Sequence, residues 1–360
     1  MNKLRSTLVY VSSIGIGISQ SLGITSPVTP FLLGKKSTAL EVLETLKKSN
    51  KLASYVNIND NDNKSSPIAV VTGGSSGIGI PSIEALLIAN MRVVLCARNL
   101  QAAEEAVQSL PESLQSNVRI QKLDLSDMSS IELAAKEIME TEGKIDVLLN
   151  NAGVMATPKR EATVQNLEMQ FGTNHVGHHM LTRLLLPKIN KEGRIVTVAS
   201  TAHSMGKLDF QNLNYDTIAG EDERKYTPWG AYGQSKLSNI LFAKGLSDKL
   251  KEAGSDIKTV SLHPGVIGTN LWRHIPKYIR PVVNTLMTDK NVEHGAATNV
   301  YCCLVNSSEL EGGEYLTDCC ITEPKENGTD DTGILRKKLW TATEDMIQGK
   351  GFVLPENLLG

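Results

Sequence analysis

Tyr232 and Lys236 lie four positions apart in Ala231-Tyr232-Gly233-Gln234-Ser235-Lys236. On a helix that spacing puts a phenol and an ammonium on one face, one turn apart. A neighbouring cation favours phenolate and draws the phenol down from its usual pKa of about 10. Such a pair can give a proton to, or take one from, a carbonyl or alcohol oxygen. The same spacing is common on helix surfaces, so its meaning depends on what the rest of the chain puts beside it.

A glycine loop lies far upstream. Residues 68–71 are a short apolar run of the kind a buried parallel strand uses. Thr72-Gly73-Gly74-Ser75-Ser76-Gly77-Ile78-Gly79 follows, and helical spacing then runs through Ile83, Leu86 and Leu87. Strand, glycine loop and helix together predict a dinucleotide site. Gly73 permits the tight turn, Gly77 lets backbone approach a pyrophosphate, and Gly79 allows close helix packing. Ser75, Ser76 and Ile78 complete the loop at the helix N-terminus, whose free N–H groups suit phosphate. Residues 92–96 give a second strand, ending in Ala97-Arg98-Asn99. An acidic residue there would bind the ribose hydroxyls of NAD; Arg98 instead suits a 2′-phosphate, so NADP(H) is expected over NAD(H). Strands over residues 118–123 and 146–149 end in Asp124-Leu125 and Asn150-Asn151-Ala152-Gly153. Asp124 either accepts from an adenine amine or caps the following helix.

Taken in order, Thr72-Gly73-x-x-x-Gly77-x-Gly79, Asn150-Asn151-Ala152-Gly153, Ser200 and Tyr232-x-x-x-Lys236 resemble the short-chain dehydrogenase/reductase superfamily over residues 67–347. Residues 194–203, His263-Pro264-Gly265, Asp318-Cys319 and Leu339-Trp340 resemble its retinol-dehydrogenase-like and WW-domain-oxidoreductase-like branch, without a WW module. The resemblance implies an α/β fold: one doubly wound Rossmann-type domain with a parallel sheet of about seven strands and helices on both faces. It implies that Tyr232 moves the proton and Ser200 holds the substrate oxygen. Lys236 would lower the phenol and bind the nicotinamide ribose, while Asn174 would kink its helix and hold a water leading to the lysine. Ala199 stands where the branch usually has serine, which leaves Ser200, with Thr201 as the substitute. Leu125, Asn150, Ala152 and Gly153 are implied cofactor contacts, and Pro264, Gly265, Val266 and Thr269 would lie along the nicotinamide. The implied reaction is hydride transfer between NADP(H) and a small apolar carbonyl or alcohol. A catalytically silent NADP(H)-binding sensor or scaffold, and a C=C reductase on the same scaffold, are the rival readings.

The 360-residue chain has a formal net charge of −2, which gives no bulk attraction for nucleic acid. Its five cysteines are not spaced as a disulfide framework or a zinc knuckle, and they read as free thiols. His175 and His179 are four apart, but no Glu follows the first, so the H-E-x-x-H metal pattern fails and the histidines of this stretch read as helix packing and polar contacts. No metal is expected. Residues 1–40 hold no Asp or Glu, and Lys3 and Arg5 precede an apolar run over 8–24. That pattern predicts a signal or anchor toward the endoplasmic reticulum or another membrane; the Ser/Thr content also fits a plastid or mitochondrial transit peptide. The expected layout is a targeting or anchor segment over 1–35, a linker with a short helix over 36–66, and one catalytic domain over 67–350. Residues 209–228 read either as a cover on one side of the substrate mouth or as a solvated surface loop, and the apolar stretch 270–288 as a lid over the substrate, as plain helix packing or as a membrane contact. The resemblance also allows a homodimer.

Overall fold

The computed structural model describes residues 33–56, 66–216, 225–267 and 290–358. The lid expected at 270–288 and Thr269 lie outside these residues, as do residues 1–32 of the expected targeting segment and 217–224 of the expected cover over 209–228. The first half alternates strand and helix: β1 (Ile68–Thr72), α2 (Gly79–Ile88), β2 (Arg92–Ala97), α3 (Leu100–Gln108), β3 (Val118–Lys122), α4 (Met128–Thr141) and β4 (Ile145–Asn150). A ten-residue helix, α1 (Ala39–Lys48), precedes it. The second half holds α5 (Gly177–Leu185), β5 (Ile189–Val198), α6 (Pro228–Glu252), β6 (Lys258–His263), α7 (Val292–Leu304), β7 (Tyr315–Thr317), β8 (Cys320–Thr322) and α8 (Ile334–Gln348).

One sheet runs in the order β3-β2-β1-β4-β5-β6-β7-β8. Its first seven strands pair in parallel, and β8 returns antiparallel on β7. The sheet therefore has eight strands, not about seven, and is not wholly parallel. The eighth is three residues long, too short to show a period in the sequence. It is reached through a turn at Asp318 and Cys319, both with left-handed φ (52° and 62°) although neither is glycine. Strand order reverses between β1 and β4, where open α/β sheets leave a crevice at the strands' carboxyl ends.

The two faces are read off by alternation. Ala69, Val71, Val93, Leu95, Val147 and Leu149 join a core under α1, α2 and α7, while Val70, Val94, Leu148 and Ile195 face α4, α5, α6 and α8. The apolar runs of the sequence are strands buried on both sides.

Helix α1 starts in a capping box: Thr38 Oγ1 accepts from Glu41 N (3.3 Å), and Glu41 Oε2 accepts from Thr38 N (2.8 Å). Its Val42, Leu43 and Leu46 are buried in the same cluster as Val300, Cys303 and Leu304 of α7. Each such side chain contributes about 1.5–3 kcal/mol by leaving water. The chain after α1 stays on α7, with Ala53 N donating to Leu304 O (2.8 Å) and Asn306 N to Lys51 O (2.7 Å).

Ahead of α5 the helix is irregular. A turn at Met169–Phe171 is capped by Glu168, whose carboxylate accepts from Gln170 N (3.0 Å) and Phe171 N (2.7 Å). A π-helical turn, Gly172–Val176, then leads into α5. Such turns displace the ladder by one residue and frequently mark functional positions. On the other side of the molecule α8 seals α5 and α6, its Trp340 ring stacked on Phe242 at 5.9 Å and 13°. No helix among the described residues is long and apolar enough to cross a membrane. The five cysteines are free thiols; Cys96, Cys302, Cys303 and Cys319 are buried and Cys320 is exposed.

Candidate active site

A cavity of about 1450 Å³ opens along the carboxyl ends of the strands. It is lined by Gly73, Ser75, Ser76, Gly77 and Ile78 from the glycine loop, by Arg98, and by Asp124 and Leu125 after β3. Ala152, Gly153, Ser200, Tyr232, Lys236, Pro264, Gly265 and Val266 line it as well. Residues spread over some two hundred positions thus meet in one space because each follows a strand or sits on the helix behind it.

Three predicted residues stand back from the cavity wall. Gly79 lies beneath the loop: a Cβ there would fall 2.4 Å from Gly73 O, so only glycine lets α2 start this close. Asn174 is buried under Gly153. Asn150 is fully buried at the end of β4, and its amide donates to Thr182 Oγ1 (3.0 Å), away from the cavity. Its neighbour Asn151 lines the cavity instead, donating to Thr72 O (3.0 Å) and Gly73 O (3.2 Å). Side chains alternate at a strand end, so Asn151 rather than Asn150 reaches the cavity.

The glycine end fits a dinucleotide. Gly73 has φ +66°, and a Cβ there would sit 2.8 Å from Ala152 Cα, so backbone from two loops meets without intervening side chains. No side chain caps the N-terminus of α2, and no acidic residue lies in its first turn. Its N–H groups and dipole are open to phosphate. Arg98 lines the same cavity at the end of β2 and is exposed.

At the other end Tyr232 is buried against Met155, Ala156 and Ala202. Trp229, one turn earlier on α6, crosses its ring edge-on at 6.1 Å. The Ser200 hydroxyl lies beside the phenol. Ser200 accepts from Ala202 N (3.2 Å), and its carbonyl takes a hydrogen bond from His203 Nδ1 (2.7 Å). Thr201, the substitute considered for Ser200, is exposed, and Ala199 is buried against Ile240 and Tyr315.

Lys236 Nζ donates to Val198 O (2.9 Å) and stands 5.7 Å from the Tyr232 ring centroid. The phenol does not titrate as the sequence suggested. Burial pushes it up to about 12, only partly opposed by the Ser200 hydroxyl. Burial also pushes the Lys236 ammonium down to about 7. The apolar collar that buries the phenol is invisible in the linear pattern.

Asn174 sits in the π-turn. Its amide donates to Val154 O (2.9 Å) and Ser235 Oγ (2.9 Å), and its Oδ1 accepts from Val154 N (2.8 Å). A Cβ on Gly153 would lie 3.3 Å from Asn174 Oδ1 and 3.7 Å from Lys236 Nζ, so the two side chains converge behind that glycine.

His178 belongs to this network too. Its Nδ1 meets Asn174 O (2.9 Å) and its Nε2 meets Thr72 Oγ1 (2.9 Å). Since Asn174 O can only accept, Nδ1 carries the proton and the threonine hydroxyl donates to Nε2. Thr72 Oγ1 in turn accepts from Asn151 N (2.9 Å) and Ala152 N (3.0 Å). One neutral imidazole, held down to about 4 by burial, therefore ties the π-turn to the glycine loop. In the sequence, Asn174 and His178 form an i, i+4 pair that a helix brings together.

Residues 67–212 match the family model for short chain dehydrogenase. The chain is similar to the chloroplastic short-chain dehydrogenase TIC 32 B of Brassica napus, with 37% identity over 283 residues, covering 76% of this chain and 86% of that one. Retinol dehydrogenase 11 of Mus musculus is 34% identical over 285 residues, covering 78% and 86% respectively. Among solved structures, an uncharacterized protein from Mycobacterium paratuberculosis matches with a TM-score of 0.63 at 29% identity, covering 85% of this chain and 98% of that chain.

Proposed function

The chain belongs to the short-chain dehydrogenase family, retinol-dehydrogenase-like in kind and an oxidoreductase, and from that premise we propose that it transfers hydride between NADP(H) and an apolar carbonyl or alcohol. The observation that carries the proposal is the meeting of Ser200, Tyr232 and Lys236 with the glycine loop and Arg98 in one cavity. The glycine loop and the N-terminus of α2 would hold the pyrophosphate, and Arg98 the 2′-phosphate. Lys236 would bind the nicotinamide ribose, and the Pro264–Val266 backbone would flank the ring. When bound, the nicotinamide supplies or accepts the hydride.

The chain's own groups do the rest. Ser200 donates to the substrate oxygen and holds it at the phenol. Tyr232 Oη gives that oxygen its proton in reduction and takes it back in oxidation. Lys236 stabilises the phenolate left after proton release, an effect strengthened by the apolar surroundings of both groups. Asn174 and His178 keep the turn behind Lys236 in one arrangement. Met155, Ala156, Met205 and Trp229 give the cavity apolar walls, which supports an apolar substrate. The names of the retinol dehydrogenase relatives support the same class. The chloroplast named for the Brassica napus relative supports the transit-peptide alternative at the N-terminus, beside the signal or anchor reading.

The test is purified protein with NADPH or NADH against aldehydes and ketones, retinaldehyde included, followed by loss of the reduced cofactor's absorbance. Carbonyl reduction with tighter binding of NADPH is the expected result. Bound NADPH with no turnover of any carbonyl would remove the enzyme reading. Tighter binding of NADH, with the NADPH constant unchanged in Arg98→Asp, would remove the cofactor preference.

A further inference from the structure

One ion pair between a buried lysine and an exposed aspartate sits directly behind the loop that closes the catalytic end of the cavity. Lys290 lies just before α7 with its side chain 1% exposed, and its ammonium pairs with the carboxylate of Asp318 in the β7–β8 turn. The lysine's methylenes lie on Gly265. A Cβ at Gly265 would fall 2.5 Å from Lys290 Cδ and 3.0 Å from Cε, and the glycine's φ of +101° is one that L side chains rarely adopt. Two residues on, Ile267 pairs with Lys290 in an isolated parallel bridge. Ile267 also presses on Gly295, where a Cβ would meet Ile267 Cδ1 at 2.2 Å and Ile78 Cγ2 at 2.8 Å. The Pro264–Ile267 loop is thus clamped between a lysine stem and the isoleucine of the glycine loop.

Covering a glycine needs only an apolar side chain. Burying an ammonium to do it costs desolvation, which one carboxylate partner offsets at best. What the ion pair adds is register: with its tip tied to Asp318, the stem has one place to lie. Lys290 itself does not line the cavity, whereas Pro264, Gly265, Val266 and Ile267 do.

We propose that Lys290 and Asp318 are positioning residues for the nicotinamide end of the cofactor, acting through Gly265 on the loop that flanks the ring; this rests on the NADP(H) reading above. The pair fixes the loop's backbone donors and acceptors and leaves the adenosine end of the site untouched.

The experiment is titration calorimetry of the full chain with NADPH and with 2′-phospho-ADP-ribose, which lacks the nicotinamide. The variants are Lys290→Met, which keeps a stem over Gly265 without the charge, and Asp318→Asn. Asp318 is 40% exposed and asparagine tolerates its left-handed φ, so this variant carries the test should Lys290→Met not fold. NADPH binding is expected to weaken about tenfold in either variant, with 2′-phospho-ADP-ribose held within about twofold. Equal weakening of both ligands would reduce the pair to general support and overturn the proposal. So would unchanged binding of both in variants whose parent binds them. A parent chain that binds neither ligand would instead take down the cofactor reading, and this proposal with it.

Discussion

Two faces of the helix that carries Asn174 use histidine differently. His178 looks toward the sheet and has a defined partner on each ring nitrogen, Asn174 O and Thr72 Oγ1. His175 and His179 look toward α8 among rings: His179 lies 4.6 Å from Trp340 and 5.0 Å from Phe242 between centroids. His179 Nδ1 has no hydrogen-bond partner, and its Nε2 is 3.6 Å from Glu344 Oε1. Both faces are buried, so burial alone does not distinguish them. The difference is directional bonding. His178 has both ring nitrogens bonded. On the far face His175 Nε2 meets Thr343 Oγ1 (3.0 Å) while its Nδ1 has no hydrogen-bond partner among the described residues, and His179 is held by the shape of the rings around it.

The sharpest way to break this contrast is at the phenol. Tyr232→Phe keeps the ring inside its collar and removes only the hydroxyl proposed to move the proton. Turnover should fall about 10²–10⁴-fold while NADP(H) affinity stays nearly constant, read by steady-state rates and by titration of the cofactor.

Lys236→Met tests the cost of pinning a cation there. The buried ammonium is held down to about 7 against an ordinary 10.5, so between those values the unfolded chain holds more protons than the folded one. Stability of the parent therefore rises with pH across that window, and the burial penalty is fully felt below it. The variant should be inactive yet more stable than the parent by roughly 2–4 kcal/mol below pH 7. Denaturant unfolding at several pH values should show that gap closing toward pH 10.5; a gap that widens would reverse the sign of the argument.

The two histidine faces are compared directly by His178→Leu and His179→Leu. The first strands a carbonyl and a hydroxyl, and should lose about 2 kcal/mol of stability and about tenfold in turnover. The second should stay within about 1 kcal/mol and leave turnover alone, since it replaces one packed group by another. Equal effects on turnover would erase the distinction.

The smallest effect belongs to Glu344. Burial raises its carboxyl, but His179 and the Arg183 guanidinium outweigh that and hold it down to about 2. Burial keeps His179 mostly neutral at pH 7, so Arg183, at 2.8 Å, is the lasting partner. A carboxyl depressed in the folded state contributes stability above pH 4.5 that is lost as pH falls toward 2. Glu344→Gln should cost about 1 kcal/mol at neutral pH after allowance for solvent screening, and nothing below pH 2. Acid unfolding curves of the two proteins would then converge.

Much of the layout was legible in the chain. Runs such as Ile68–Thr72 and Arg92–Ala97 are apolar because both sheet faces are covered, so they announce parallel strands. The glycines announce a loop because only they fit where Gly73 meets Ala152. Other features had no linear signature. The β7–β8 turn uses Asp318 and Cys319 where a hairpin usually signals with glycine. The exchange of Asn150 for Asn151 depends on which way a strand's last side chain points. The phenol's shift depends on Met155, Ala156 and Ala202, which come from two other loops. The π-turn at Gly172–Val176 follows from no composition rule applied to the sequence.

Helix α1 has a practical consequence. A fragment begun at Pro67 would retain all the chemistry-bearing residues and still lose the plug that Val42, Leu43 and Leu46 make over Val300, Cys303 and Leu304. That greasy trough, laid bare, would make the shortened product prone to clumping. The cut that yields a well-behaved fragment falls ahead of Thr38, where the helix keeps its own cap.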